Sequence, residues 1–154
     1  MGRRVEFVDT SVLCDLLDIP GKNQDRAMVA RQLADKRQCR LILPVTAVIE
    51  TGNHIAQLSD GRLRRQYADK LATLLKLVID GDAPWVLHTV EWGPDFLRTL
   101  IDGAGTGIPL SDQVMRKLGL GDLCILAERE LYTRRVSGVE TGIWTLDDQL
   151  RSHA

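Results

Sequence analysis

Short β-rich runs alternate with helix-periodic runs along the whole chain, and this alternation limits its fold more than any other feature. Val5-Glu6-Phe7-Val8 reads as a strand that stops at Asp9-Thr10-Ser11, after which Val12, Leu13, Leu16 and Leu17 recur at helical spacing. Pro20-Gly21 breaks that helix, and a second is expected from about Asn23 to Lys36, burying Met28, Val29 and Leu33. Leu41-Ile42-Leu43 reads as a buried strand ended by Pro44. Thr46 is a fitting cap for the next helix, which carries Val48, Ile49, Ile55 and Leu58 and has Glu50 in its first turns. From Arg62 to Ile79 the spacing of Tyr67, Leu71, Leu74, Leu75 and Val78 predicts a long amphipathic helix, stopped at Asp80-Gly81-Asp82. Trp85-Val86-Leu87-His88 reads as a third strand, and Gly93-Pro94-Asp95 opens a short helix. Ser111 can cap another through Met115 and Leu118, and Asp122 starts a further one. Ile143-Trp144-Thr145-Leu146 reads as the last strand, closing on Asp147-Asp148.

Such alternation implies an α/β fold with a mostly parallel sheet. The chain has 154 residues, 44% of them hydrophobic, enough for one core and too few for two ordinary domains, so residues 1–154 are read as a single domain. In open sheets of this kind ligands bind beyond the carboxyl ends of the strands, where Asp9 and Asp147 both fall.

Several function classes recede on composition. No apolar run approaches the roughly 18 residues of a membrane span, and Met1-Gly2-Arg3-Arg4 passes quickly to an acid, unlike a leader, so a soluble cytoplasmic protein is expected. Cys14, Cys39 and Cys124 form no CxxC pair, which argues against a disulfide framework or structural zinc; Cys14 and Cys124 read as buried thiols. His54, His88 and His153 are scattered. His54, four residues after Glu50, is an extra ligand or, more simply, a solvent-facing helical histidine, and Asn53 takes the same discount. The net charge of −1 supplies no global field for a polyanion, which leaves Arg3-Arg4, Arg62-Leu63-Arg64-Arg65 and Arg134-Arg135 as local patches, first read as solvated faces. Gly103-Ala104-Gly105-Thr106-Gly107 follows a helix and lacks the GK[ST] ending of a phosphate loop, so a flexible connector is expected.

Four blocks carry a likeness. Val8-Asp9-Thr10-Ser11-Val12-Leu13, Pro44-Val45-Thr46-Ala47-Val48-Ile49-Glu50, Gly121-Asp122-Leu123-Cys124-Ile125-Leu126-Ala127 and Trp144-Thr145-Leu146-Asp147 resemble, in that order, the motif blocks of PIN-domain ribonucleases. Among these the chain looks most similar to the VapC-like toxins of type II toxin–antitoxin pairs. The resemblance implies a three-layer α/β/α PIN-like fold and a metal-dependent endoribonuclease that hydrolyses RNA phosphodiester bonds with Mg²⁺ or Mn²⁺. It also implies a cognate antitoxin protein and a homodimer. By the same likeness Asp9 is the principal metal ligand, Glu50 a helix-borne acid that binds metal or orients water, Asp122 the acid of the GDxxILA block and Asp147 the last acid. Asp148 stands next to Asp147 as a one-residue alternative, and Thr145 and Ser11 resemble supporting hydroxyls. The bland readings are helix caps for Asp9 and Asp122 and an exposed helical acid for Glu50, although Val48 and Ile49 are taken to draw Glu50 toward the core. Asp112 beside Ser111 is adequately explained by capping and the helix dipole. The family usually carries a final short strand after the TxD block, where this chain has only a few residues, and the stretch from Gly61 to Ser111 is longer than in its smallest relatives.

The chemistry accounts for carboxylates without histidine or cysteine. Mg²⁺ and Mn²⁺ are hard ions that take oxygen ligands and keep several waters, so a few carboxylates and a substrate phosphate suffice. The alternative reading is a catalytically inactive PIN-like scaffold that binds nucleic acid or protein. A phosphatase or phospho-receiver is disfavoured because Ser11 stands where a second acid is wanted and no lysine follows Ile143-Trp144-Thr145.

Overall fold

The computed structural model describes residues 3–154, so Met1 and Gly2 of the amino-terminal segment lie outside the described residues. The elements run β1 (Arg3–Val8), α1 (Thr10–Leu16), α2 (Arg26–Asp35), β2 (Arg40–Ile42), α3 (Val45–Ala56) and α4 (Gly61–Asp80), then β3 (Trp85–Val86), α5 (Pro94–Ile101), α6 (Leu110–Met115), α7 (Leu120–Arg135), β4 (Val139–Trp144) and α8 (Asp148–Arg151). The strands form one four-stranded sheet in the order β3-β2-β1-β4, and every pairing is parallel. The chain therefore steps outward from β1 through β2 to β3, then returns to the other side of β1 with β4. Because parallel crossovers keep one hand, that reversal puts the later helices on the opposite face of the sheet.

The core divides accordingly. Val5, Phe7, Ile42 and Ile143 pack with Phe96 and Leu100 of α5 and Leu123, Ile125, Leu126 and Ala127 of α7. Val8, Leu41, Leu43 and Trp144 pack on the other side with Val12 and Leu13 of α1, Val29 of α2, Ile55 of α3 and Tyr67 and Leu74 of α4. Alternate strand residues thus serve opposite layers, as the two-residue period of a pleated strand requires. Glu6 falls on this pattern at 5% exposure, and its charge is met by Arg4 at 2.8 Å and Lys36 at 2.6 Å. Burial pushes its pKa up, but hydrogen bonds from Lys36 and Arg4 outweigh burial and hold it below the usual range.

Helix ends follow local chemistry. Asp60 caps α4 by accepting from the Arg62 and Leu63 amides, and Gly81, at φ 76°, closes it in the left-handed conformation. Other boundaries differ from sequence expectation. α2 starts at Arg26, and Met28 is exposed while Val29 is buried. Neither Thr46 nor Ser111 caps: Pro44 and Pro109 hold those positions. β3 is only two residues long, whereas β4 begins at Val139. A short α8, not a strand, follows β4, which lies at the edge of the sheet.

The glycine-rich segment is not a flexible connector. Thr106 Oγ1 donates to the Gly103 carbonyl at 2.7 Å and accepts from the Ile108 amide at 3.2 Å, while Ala104 is fully buried. Gly103, at φ 95°, lies so close to the Ile108 carbonyl that any Cβ would collide with it. Close contacts account for Gly103 and Gly105, and the left-handed backbone, at φ 79°, accounts for Gly107. Among the described residues no helix is long and apolar enough to cross a membrane.

Candidate functional site

Asp9 is the residue at which β1 becomes α1. Its backbone is extended, it holds the N-cap position, and its amide donates to the Trp144 carbonyl at 3.0 Å, tying the end of β1 to the end of β4. The capping bond itself is long: Ser11 N lies 3.4 Å from Oδ2. Shorter bonds come from two hydroxyls, Ser11 Oγ and Thr145 Oγ1, each donating to Oδ2 at 2.7 Å. Those hydroxyls are themselves oriented, because Ser11 Oγ accepts from the Leu146 amide and Thr145 Oγ1 from the Asp147 amide, both at 3.0 Å. All the side-chain bonds to Asp9 thus fall on Oδ2, which leaves Oδ1 for a ligand.

A cleft of about 430 Å³ opens at this point, at the carboxyl ends of β1 and β4 where the strand order reverses. Asp9, Ser11, Glu50, Asp122 and Asp147 all line it. Glu50 comes from α3, Asp122 from the first turn of α7 and Asp147 from the N-cap of α8, so four separate elements converge. Asp147 Oδ1 accepts from the Leu150 amide at 3.0 Å. Asp148 is not part of the cleft lining and points outward, its side chain 95% exposed beside Arg151.

The four carboxylates are not equivalent. Gly119, not Asp122, holds the N-cap position of α7, so capping does not account for Asp122. Burial first, then the charges of Asp9, Asp147 and Glu50, push Asp122 up to about 7. A helix N-terminus favours a carboxylate, yet here burial and like charge win. Glu50 is also raised, by burial and then by Asp9. Its Oε1 is buried with no hydrogen-bond partner among the described residues. Of the two residues expected to draw Glu50 inward, Val48 packs against the core while Ile49 is 56% exposed and no anchor. The seat of Glu50 is Gly121: any Cβ there would overlap the Glu50 carboxylate.

Among the described residues no group of three or more His, Cys, Asp and Glu side chains stands close enough to cage an ion. The donors nonetheless fit Mg²⁺ or Mn²⁺, which need only one or two carboxylates and keep waters and phosphate oxygens for the rest. The set is all oxygen, Glu50 Oε1 is orphaned, and Asp122 is pushed up to about 7 by burial first and then by its acidic neighbours. Each is relieved by a bound cation.

Comparison with known proteins returns no match: no family model, curated protein or solved structure aligns with the chain. The site therefore stands on its own geometry.

Other residues sort plainly. His54 lines the cleft instead of facing solvent, whereas Asn53 and Asp112 are exposed and lie outside the lining. Cys14 and Cys124 are buried thiols, and Cys39 is partly buried; all three are free. Sequence reading missed Lys22, Gln24, Asp25 and Asp15, which also line the cleft. No motif flags them, because the end of α1 and the loop after it are brought there only by the tertiary fold. It also missed Glu128, buried near His88 (3.5 Å) and pushed by burial up to about 8, outside the cleft lining.

Proposed function

We propose that the chain is a metal-dependent endoribonuclease of PIN type, closest to the VapC-like toxins, which would place it with a cognate antitoxin and as a homodimer. The observation that carries this reading is the convergence of four carboxylates from four elements on one cleft, with Asp122 held at about 7 by burial and by the other three. The four sequence blocks that supply these acids support RNA as the substrate.

In this reading the carboxylates of Asp9, Glu50, Asp122 and Asp147 would hold Mg²⁺ or Mn²⁺, one or two of them on an ion and water or phosphate oxygens for the rest. Such an ion supplies an acidified water as nucleophile and offsets charge building on the phosphate. The protein's part is positioning. Ser11 and Thr145 fix the Asp9 carboxylate through Oδ2, and the backbone amides of Leu146 and Asp147 fix those hydroxyls in turn. Gly121 leaves room for Glu50. A scaffold that binds without cutting is the second reading, and the presence of all four acids in one cleft weighs against it.

The test is incubation with mixed cellular RNA in Mn²⁺ or in chelator, beside Asp9→Asn. We expect cutting by the wild type in Mn²⁺, none in chelator, and a loss of at least about a hundredfold in the variant. Cleavage that persists equally in chelator or in the variant overturns the mechanism.

A further inference from the structure

The cleft that gathers the acids also contains one lysine. Lys22 lines it together with His54, and among the described residues no other lysine or arginine does. RNA is a polyanion, and a cleft walled by carboxylates repels it, so a cation in that wall bears directly on how substrate enters. The arginine runs do not serve there. Arg4 pairs with Glu6 and Glu140, Arg64 donates to the Leu58 and Ser59 carbonyls, Arg65 pairs with Asp69, and Arg134 pairs with Glu130. None of them lines the cleft.

Lys22 differs from these in two respects. It forms no ion pair among the described residues, although carboxylates line the same cleft. Its backbone is also fixed. The Lys22 amide donates to the Ile19 carbonyl at 2.9 Å, and Gly21, at φ 81°, turns the chain just before it. Beyond it Asn23 Nδ2 donates to Asp18 Oδ1 at 2.8 Å, and the Asp25 amide donates at 3.1 Å to Asp15 Oδ1, a carboxylate only 4% exposed. The loop is pinned on both sides of Lys22, which holds its exposed side chain at the cleft without committing its charge to an acid. A lysine is a compact point charge on a flexible stem, a common device for holding phosphate.

We propose that Lys22 is a substrate-positioning residue whose ammonium takes a non-bridging phosphate oxygen of single-stranded RNA lying in the carboxylate cleft. This rests on the nuclease reading above. It adds which part of the cleft lining the RNA backbone follows: the loop after α1, which carries Lys22 and shares the lining with the acids.

The test uses the full chain, Lys22→Gln, Lys22→Arg and, as a control cation outside the cleft, Arg65→Gln. Binding of a labelled single-stranded RNA is followed by fluorescence anisotropy across a salt series in chelator, so that nothing is cut. Removing one phosphate contact should flatten the dependence of log affinity on log salt by about 0.7 for a single strand. K22Q should show that change, K22R should restore the wild-type slope, and R65Q should leave it unaltered. In Mn²⁺, K22Q should raise KM roughly three- to tenfold with kcat within about twofold. All three variants change exposed side chains and should melt within about 2 °C of wild type. A K22Q slope equal to wild type, a K22R slope as flat as that of K22Q, or an equal change in R65Q overturns the proposal. Wild-type protein that binds RNA but does not cut it in Mn²⁺ instead overturns the nuclease reading, and the slopes then judge the Lys22 contact by themselves.

Discussion

Asp122 occupies the first turn of α7 without capping it, and its carboxyl is pushed up to about 7 from an ordinary 3.8, chiefly by burial and then by the charges of Asp9, Asp147 and Glu50. The folded chain therefore holds the Asp122 proton more tightly than the unfolded chain. The stability this contributes is fully present below about 4 and is lost as pH rises through about 7. Asp122→Asn cannot ionise, so in chelator it should gain stability over wild type at pH 8, gain less at pH 5 and gain nothing near pH 4. Urea denaturation at the three values reads this directly, and an equal gain at all three would mean that Asp122 is an ordinary carboxylate. Asp9 shows a different residue-scale device, in which two hydroxyls and two backbone amides spend Oδ2 on orientation so that Oδ1 stays free.

Among the elements, α7 does most to form the site, since it brings Asp122 and also makes room for Glu50 of α3. The room is Gly121, one residue before Asp122. Alanine is the better helix former by about 1 kcal/mol, and the atoms it would strike are the end of a flexible side chain, so Gly121→Ala should fold normally. The displaced Glu50 carboxylate should nevertheless lower the rate of RNA cleavage in Mn²⁺ by tenfold or more. Thermal melting and a cleavage time course, run side by side, separate these effects; an unchanged rate would remove Glu50 from the site. β1 and β4 contribute in another way, because their parallel register from Arg3↔Val139 to Val8↔Trp144 sets Asp9 beside Thr145.

At the scale of the molecule, the reversal of strand order between β1 and β4 puts a cleft where repelling carboxylates meet, and four such groups cost stability when no cation is present. Adding Mn²⁺ or Mg²⁺ should raise the melting temperature by mass action, by about 2.7 kcal/mol of stabilisation at a hundred times Kd. Asp9→Asn should blunt that rise. A rise of the same size in the variant would exclude Asp9 as a ligand.

The alternation of strand and helix periods, the strand-end position of Asp9 and the buried thiols were legible in the residues alone, since each depends on local spacing and on which side chains avoid water, whereas β4 stops at Trp144 and Asp147 stands beyond it as the cap of α8. The likeness of four short blocks also named Ser11 and Thr145, which the fold brings to one carboxylate oxygen. Other features required the third dimension. Asp147 rather than Asp148 faces the cleft because the turn into α8 uses Asp147 as its cap. Gly121 matters only because α3 crosses α7 there, and Gly103 is needed only because Ile108 and Thr106 close on it. Lys22 is one of five lysines in the sequence, and nothing local sets it apart. Its place in the same cleft lining as the acids is decided by tertiary packing, which no local pattern encodes.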